Sequence, residues 1–191
     1  RLFRKDLLDE HSVVYAFGVA RHIETEEQWA ERIGCTVYLF DPTPPAIEFM
    51  AAHAPSPKLV FDPIGVWTSS ETLKFYNDNR AKVKNLSVIN YYHGSTYVEA
   101  PCLTLVDIMK KYGHDHIDLL KMDIEGAALP ILLHMLKETT IRPRQIVGAL
   151  ERPHIPYGAT IGEALQVIRD KGILYKKLNA EGYRIVSHNV A

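Results

Sequence analysis

Short apolar runs recur along this chain, and most of them end at a glycine, a proline or an acidic residue. Continuous apolar stretches of about four to eight residues with such ends are typical of strands that are covered on both faces. Runs of this kind predict buried strands at residues 13–17, 36–41, 58–62, 117–123 and 145–150. The second strand ends at Asp41 and the fourth at Asp123.

Segments with helical spacing of their apolar residues alternate with these strands. They predict helices at residues 23–33, 44–53, 103–112, 127–137 and 161–171. Gly34 and Gly113 follow two of the helices, where glycine commonly ends a helix. Pro44 fits the first turn of another helix, because its missing N–H costs nothing there. The alternation predicts an α/β fold, with a mostly parallel sheet and helices on both faces.

Two segments depart from the alternation. Residues 67–101 hold short predicted strands at 72–76 and 86–89 among Asn, Asp, Ser and Gly, and we interpret them as an irregular insertion suited to a lid or wall. Residues 173–178 and 183–187 flank an Asn-Ala-Glu-Gly turn and predict a C-terminal antiparallel hairpin.

With 191 residues, 47% of them hydrophobic, we expect one domain over residues 1–191.

The charge balance narrows the class of partner. The 22 basic and 23 acidic residues nearly cancel, so the chain lacks the field that draws proteins to nucleic acid or to anionic membranes. Arg80, Lys82 and Lys84 form a small basic patch, which we interpret as a solvated loop. No apolar stretch approaches the about 20 residues of a membrane span. We therefore expect a small-molecule partner, and the oligomeric state stays open.

The cysteines and paired histidines do not predict metal or redox chemistry. Cys35 and Cys102 are too far apart for a CxxC motif and are expected to be plain thiols. His114 and His116 precede the fourth strand, at the amino edge of the sheet, and we predict no metal there. The chain begins at Arg1 rather than Met, which is compatible with removed upstream sequence. The cytoplasm is the expected compartment if the chain as given is representative.

The carboxyl edge of the predicted sheet is where α/β proteins hold ligands. Gly18 follows the first strand, where a residue without Cβ lets a ligand approach the backbone, although an ordinary turn glycine is the alternative. The full GxGxxG fingerprint is missing, because Ala20 and Arg21 follow Gly18. Asp41 lies about twenty residues after Gly18, the separation at which an acid binds ribose hydroxyls. The alternative is that Asp41 caps the helix at Pro44.

The fourth and fifth predicted strands also end in titratable residues. Lys121, Asp123 and Glu125 alternate and therefore share one face if the strand stays regular. They form either a salt bridge between Lys121 and one of the acids or a functional cluster in an open crevice. His154 follows the fifth strand and is a candidate general base, with a surface loop histidine as the alternative.

Four segments on these predicted strand ends carry a family resemblance. They are YAFGV at 15–19, FDPTP at 40–44, FDPIGV at 61–66 and LLKMDIEG at 119–126. In order and spacing they resemble the FkbM-like methyltransferases, a branch of the S-adenosylmethionine-dependent enzymes with a Rossmann-like fold. The resemblance covers roughly residues 13–151.

The resemblance implies a seven-stranded sheet with an antiparallel last strand, and a cofactor across the carboxyl ends of its first four strands. The residues it implies for cofactor binding are Phe17, Gly18, Val19, Arg21, Asp41, Pro42, Ile64, Gly65, Val66 and Asp123. Among these, the Gly18 turn approaches the amino-acid end, Asp41 the ribose, and residues 64–66 the adenine. The candidate catalytic residues are Asp123, Glu125 and His154.

One loop departs from the family pattern. Similar sequences carry a second glycine and then acids after the first glycine, whereas this chain has Ala20, Arg21 and His22. An alanine methyl narrows the space beside a cofactor, and Arg21 either alters the charge there or holds the cofactor carboxylate.

The resemblance implies S-adenosylmethionine-dependent methyl transfer, with a hydroxyl of a small molecule or sugar as the expected acceptor. The alternative is a methyltransferase-like binding or scaffold domain that has lost catalysis. An NAD-dependent oxidoreductase is disfavoured by the missing glycine fingerprint and by the predicted terminal hairpin. The identity of the acceptor stays open.

Overall fold

The computed structural model describes residues 3–53, 56–77, 86–91, 93–124, 126–148 and 155–184. In chain order the strands are β1 (Val14–Phe17), β2 (Val37–Phe40), β3 (Leu59–Asp62), β4 (Gly65–Val66), β5 (Glu71–Asn77), β6 (Leu86–Ser87), β7 (Tyr97–Leu103), β8 (Leu119–Met122) and β9 (Gln145–Gly148). The helices are α1 (Glu24–Ile33), α2 (Pro44–Ala52), α3 (Leu105–Tyr112), α4 (Ala128–Glu138) and α5 (Ile161–Ala180). A short 3₁₀ turn spans Lys5–Leu7.

Sheet A has the strand order β3-β2-β1-β8-β9, and its strand pairs are all parallel. Every residue of the adjacent strands β1 and β8 is buried, as their continuous apolar runs predict. Phe17 is paired with Phe40 on one neighbouring strand and with Met122 on the other. Asp41 and Asp123 directly follow those two neighbours, so both acids lie at the carboxyl edge of sheet A, as predicted.

Two layers of core cover sheet A because successive side chains of a strand point to opposite faces. Tyr15 and Phe17 pack in one cluster with residues from α3, α4 and α5, for example Ile108. Val14 and Ala16 pack in the other cluster with residues from α1 and α2. The prediction of an α/β fold with a parallel sheet between helices is confirmed.

Sheet B forms mainly from the segment 67–101 that the sequence predicts to be an irregular insertion, but β4 precedes this segment and β7 extends beyond it. Its order is β4-β7-β5-β6, and the long pair β5 and β7 runs antiparallel from Glu71 opposite Cys102 to Tyr76 opposite Tyr97. The predicted strands at 72–76 and 86–89 correspond to β5 and β6. The sequence analysis missed β7, which contains Pro101, a residue that argues against a strand in a sequence pattern.

The C-terminal part of the structure differs from the prediction. Residues 173–178 were predicted as a strand, but they belong to α5. Leu174 and Leu178 are four residues apart and both buried, so a helix places them together on the face that packs near α4. Thr160 and Glu163 form a reciprocal capping box that begins the helix. This half of the predicted hairpin is wrong.

The second half of the predicted hairpin, residues 183–187, begins with two residues that are not in a strand, and the rest lies outside the described residues. Sheet A therefore has five strands within the described ranges, not the seven expected from the resemblance. A search of the described helices finds none with the length and apolarity needed to cross a bilayer.

A buried ion pair joins β8 to the first turn of α1. Lys121 Nζ lies 2.6 Å from Glu26 Oε1, and the two residues are only 7% and 2% exposed. The sequence analysis had considered Asp123 or Glu125 as partners of Lys121. Strand β8 ends at Met122, so the alternation that would align Lys121 with Asp123 does not continue, and Glu125 lies outside the described residues. Lys121 instead fixes the start of α1, which follows the loop after β1.

We predict that breaking this pair destabilises the fold. Glu26→Leu leaves a buried ammonium without its partner and should lower the free energy of unfolding by about 3–5 kcal/mol in urea denaturation. Glu24→Gln, in the same helical turn but exposed, should change it by less than about 0.5 kcal/mol. The double variant Glu26→Leu/Lys121→Met should recover most of the loss, and additive losses would contradict the pairing.

Candidate active site

A cavity of about 110 Å³ lies between the carboxyl edge of sheet A and one side of sheet B. Sheet A and its loops contribute Phe17, Gly18, Ala20, Phe40, Asp41, Pro42, Thr43, Pro45, Asp123, Ile124 and Ala127. Sheet B contributes Gly65, Val66, Phe75, Leu86, Ser87 and Val88. The described lining is mostly apolar, and its charged members are both carboxylates, Asp41 and Asp123.

Gly18 brings the loop after β1 against the end of β8. Its φ is +85°, and a Cβ added there would lie 2.0 Å from the carbonyl oxygen of Asp123. The Gly18 N–H donates to the carbonyl of Phe40 at 3.0 Å. A side chain at this position would therefore push β1 and β8 apart at the cavity, so Gly18 has a packing role beyond that of an ordinary turn residue.

Ala20 adopts a left-handed backbone conformation in the same loop. Its φ is +50°, a region that L-residues other than glycine enter at a cost of about 1–2 kcal/mol. The residue lines the cavity. The family resemblance leads one to expect a glycine at this position. The backbone of Ala20 has a conformation that is typical of glycine, and its methyl group takes up space in the cavity.

The Asp41 carboxylate holds this loop in place. Its Oδ2 accepts hydrogen bonds from the backbone N–H groups of Val19 at 3.0 Å and Ala20 at 2.9 Å. Its Oδ1 accepts from the N–H of Thr43 at 2.9 Å and from Thr43 Oγ1 at 2.6 Å. Asp41 is 6% exposed. The residue that caps α2 is Thr43, so Asp41 is not the helix cap that the sequence left as an alternative.

The structure brings together most of the residues that the sequence proposed for a cofactor. Those that line the cavity are Phe17, Gly18, Asp41, Pro42, Gly65, Val66 and Asp123. Val19 does not line the cavity: its N–H donates to Asp41, and its side chain is buried in the core. Ile64 also packs into the core, and Arg21 is exposed on the loop; neither lines the cavity. Glu125 and His154 lie outside the described residues.

The sequence predicted Gly65 and Val66 as site residues and the segment 67–101 as a lid or wall. It did not identify which residues of β5 and β6 line the cavity, because no local signal shows which of them face sheet A. It also missed Thr43, although this residue belongs to the FDPTP segment at 40–44. Gly65 shows how closely sheet B packs: a Cβ there would lie 2.6 Å from Cys102 Sγ. Burial raises the pKa of that thiol to about 12, so Cys102 stays neutral in the hydrophobic cluster of sheet B.

The amino edge of sheet A holds a separate group of polar side chains. Tyr15 Oη lies 2.7 Å from His114 Nδ1, and burial is the main cause that lowers the pKa of His114. His116 Nε2 lies 3.2 Å from Asp118, whose carboxylate also accepts from the N–H of Val13. Across the described part of the chain, no cluster of three His, Cys, Asp or Glu side chains could hold a metal ion. The contacts of His114, His116 and Asp118 therefore connect β1 and the residue before it with the segment that precedes β8.

We predict that position 20 tolerates glycine but not a branched residue. Ala20→Gly removes the left-handed strain while increasing the entropy of the unfolded chain, so the free energy of unfolding should change by less than about 1 kcal/mol. Ala20→Val should lower it by about 2 kcal/mol or more, because β-branched residues rarely adopt this conformation. Ala51→Val, on the exposed face of α2, is the matched control. Equal urea midpoints for the two valine variants would contradict the assigned strain.

A family model described as the methyltransferase FkbM domain matches residues 5–185, which include both sheets and all the cavity residues named above. Comparison of the chain with curated proteins and with solved structures gave no match. The family match extends over most of the 191 residues, and on this ground the chain belongs to the FkbM methyltransferase domain family.

Proposed function

We propose that this protein transfers a methyl group from S-adenosylmethionine to a hydroxyl group of a small molecule or sugar. Membership of a methyltransferase family supports the reaction type. The observation that carries the cofactor assignment is the cavity at the carboxyl edge of sheet A, with Asp41 and Asp123 in its lining. Open α/β sheets bind nucleotide ligands at this edge.

The chemistry of the lining fits the cofactor. Apolar walls suit an adenine ring, and two carboxylates favour the positive charge of a sulfonium ion. Ligand pockets are usually about 300–1,000 Å³, so a cavity of about 110 Å³ encloses only part of a nucleoside. The rest of the ligand extends outside the cavity, or the walls from sheet B separate to admit it.

We assign each part of the proposed cofactor to residues near one part of the cavity. The turn at Gly18, with Phe17 and Val19, lies toward the amino-acid end, and the exposed Arg21 would reach the cofactor carboxylate from outside. Asp41 and Pro42 belong to the ribose end of the cavity. The adenine end is formed by Gly65 and Val66, supported from behind by Ile64.

When bound, S-adenosylmethionine supplies an activated methyl group. The chain itself must exclude water, align the acceptor oxygen and take up its proton. Asp123 lines the cavity and is our candidate for that proton acceptor. Glu125 and His154 remain candidates on sequence grounds alone.

The second candidate function is a binding or scaffold domain that keeps the fold without methyl transfer. The observation that favours it is Ala20, whose methyl group narrows the cavity where the family pattern has a glycine. Cofactor binding separates the two candidates, because a scaffold that has lost the cofactor gains no stability from it.

We predict that S-adenosylhomocysteine, at about one hundred times its Kd, raises the melting temperature by about 5–10 °C, because it binds only the folded state. NAD at the same concentration should have no effect. A shift with NAD alone would favour an oxidoreductase, and a shift with neither ligand would favour the scaffold.

We further predict that Asp41→Ala removes the shift caused by S-adenosylhomocysteine, because the loop at Val19 and Ala20 loses its anchor. The quantity to compare is the ligand-induced shift of each variant, since Asp41→Ala also lowers the melting temperature of the free protein. Asp118→Ala is the matched control: this aspartate is also buried and also accepts a backbone N–H, but it lies at the opposite edge of sheet A. An unchanged shift in Asp41→Ala would reject the proposed role.

A further inference from the structure

The Asp41 carboxylate has no acceptor position left for a ligand. A carboxylate offers about four lone-pair positions, and Asp41 uses them on the N–H groups of Val19, Ala20 and Thr43 and on the Thr43 hydroxyl. A ligand hydroxyl that bonds directly to Asp41 must displace one of these donors. Displacing a buried N–H would leave it without a partner, which is costly.

The Thr43 hydroxyl offers an acceptor at the same place. Its single proton is donated to Asp41 Oδ1 at 2.6 Å, so toward any other group Thr43 Oγ1 can only accept. Donation to a carboxylate also polarises the hydroxyl and makes its oxygen a stronger acceptor. Thr43 lines the cavity and is half-buried. Although it is the cap residue of α2, its side chain makes no capping hydrogen bond, so the helix does not need this oxygen.

We propose that Thr43 Oγ1 accepts a hydrogen bond from a ribose hydroxyl of the bound nucleoside, and that Asp41 acts through Thr43 as a positioning residue. This inference rests on the proposed function, since it takes the adenosyl cofactor as the ligand. A ribose hydroxyl is the donor that fits, because Thr43 lies just beyond the end of β2, where βαβ nucleotide sites hold the ribose diol. The adenine amino group is also a donor, and the experiment below separates the two.

The first arm measures the Kd of S-adenosylhomocysteine by calorimetry. Thr43→Val keeps the shape of the side chain and removes the hydroxyl, so the Kd should rise about 10-fold, while Thr43→Ser should stay within about 3-fold of the wild type. Thr72→Val changes an exposed threonine on β5 away from the cavity and should leave the Kd unchanged. Urea denaturation of each free variant shows whether it is folded.

The second arm removes the donor from the ligand. Analogues of S-adenosylhomocysteine without the 2′-hydroxyl or without the 3′-hydroxyl are titrated into the wild type and Thr43→Val. One analogue should bind the wild type about 10-fold more weakly than the parent ligand, yet bind Thr43→Val as tightly as the parent does. Such non-additivity identifies a direct contact, which a purely structural role of Thr43 would not produce.

The positioning role of Asp41 is tested by the effect of Asp41→Ala on the Kd in two backgrounds. Asp41→Ala should raise the Kd by a smaller factor on the Thr43→Val background than on the wild type, because part of its effect passes through the Thr43 hydroxyl.

The inference is overturned if the wild type binds S-adenosylhomocysteine and Thr43→Val binds it equally well. It is also overturned if the losses add for both deoxy analogues, as a contact with the adenine amino group would give. If the wild type does not bind the ligand, the proposed function itself fails, and the inference fails with it.

Discussion

The hydrogen bonds of one buried carboxylate decide the shape of the candidate site. Asp41 binds the loop after β1 through two backbone N–H groups and the start of α2 through the N–H and hydroxyl of Thr43. Asp41 therefore holds the loop after β1 and the start of α2 next to each other at the carboxyl edge of sheet A. Hydrogen bonds to a charged acceptor are stronger than neutral ones, and burial at 6% exposure protects them from water.

The loop that Asp41 holds is also constrained from two other directions. Gly18 presses its backbone against the carbonyl of Asp123, where no side chain fits. Beyond the loop, the buried pair of Lys121 and Glu26 fixes the first turn of α1 to β8. The strained conformation of Ala20 persists because both ends of its loop are held in this way.

The sequence was sufficient for those parts of the fold that depend on local patterns. The apolar runs of β1 and β8 predicted buried parallel strands, and the acids after the strand ends, Asp41 and Asp123, were placed at the correct edge. In sheet B the sequence predicted β5 and β6 but not β7, because β7 contains Pro101 and is recognised only through its pairing with β5. It also misread residues 173–178, whose apolar spacing fits a strand as well as a helix until packing of Leu174 and Leu178 decides. Thr43 was missed for a similar reason: only the folded chain shows its proton committed to Asp41.

The two sheets differ in how strongly packing constrains their residues. In sheet A, β1 and β8 are buried throughout, and changes there disturb packing on both sides. Sheet B reaches the cavity through Phe75, Leu86 and Val88, and its strand β4 pairs with β7 over only two residues. Phe75 belongs to a separate hydrophobic cluster, against which Leu86 and Val88 pack, so we expect substitutions on this wall to disturb the packing of sheet A less than substitutions in β1 or β8. The cavity can thus change shape at one wall while the layer that carries Asp41 and Asp123 keeps its packing.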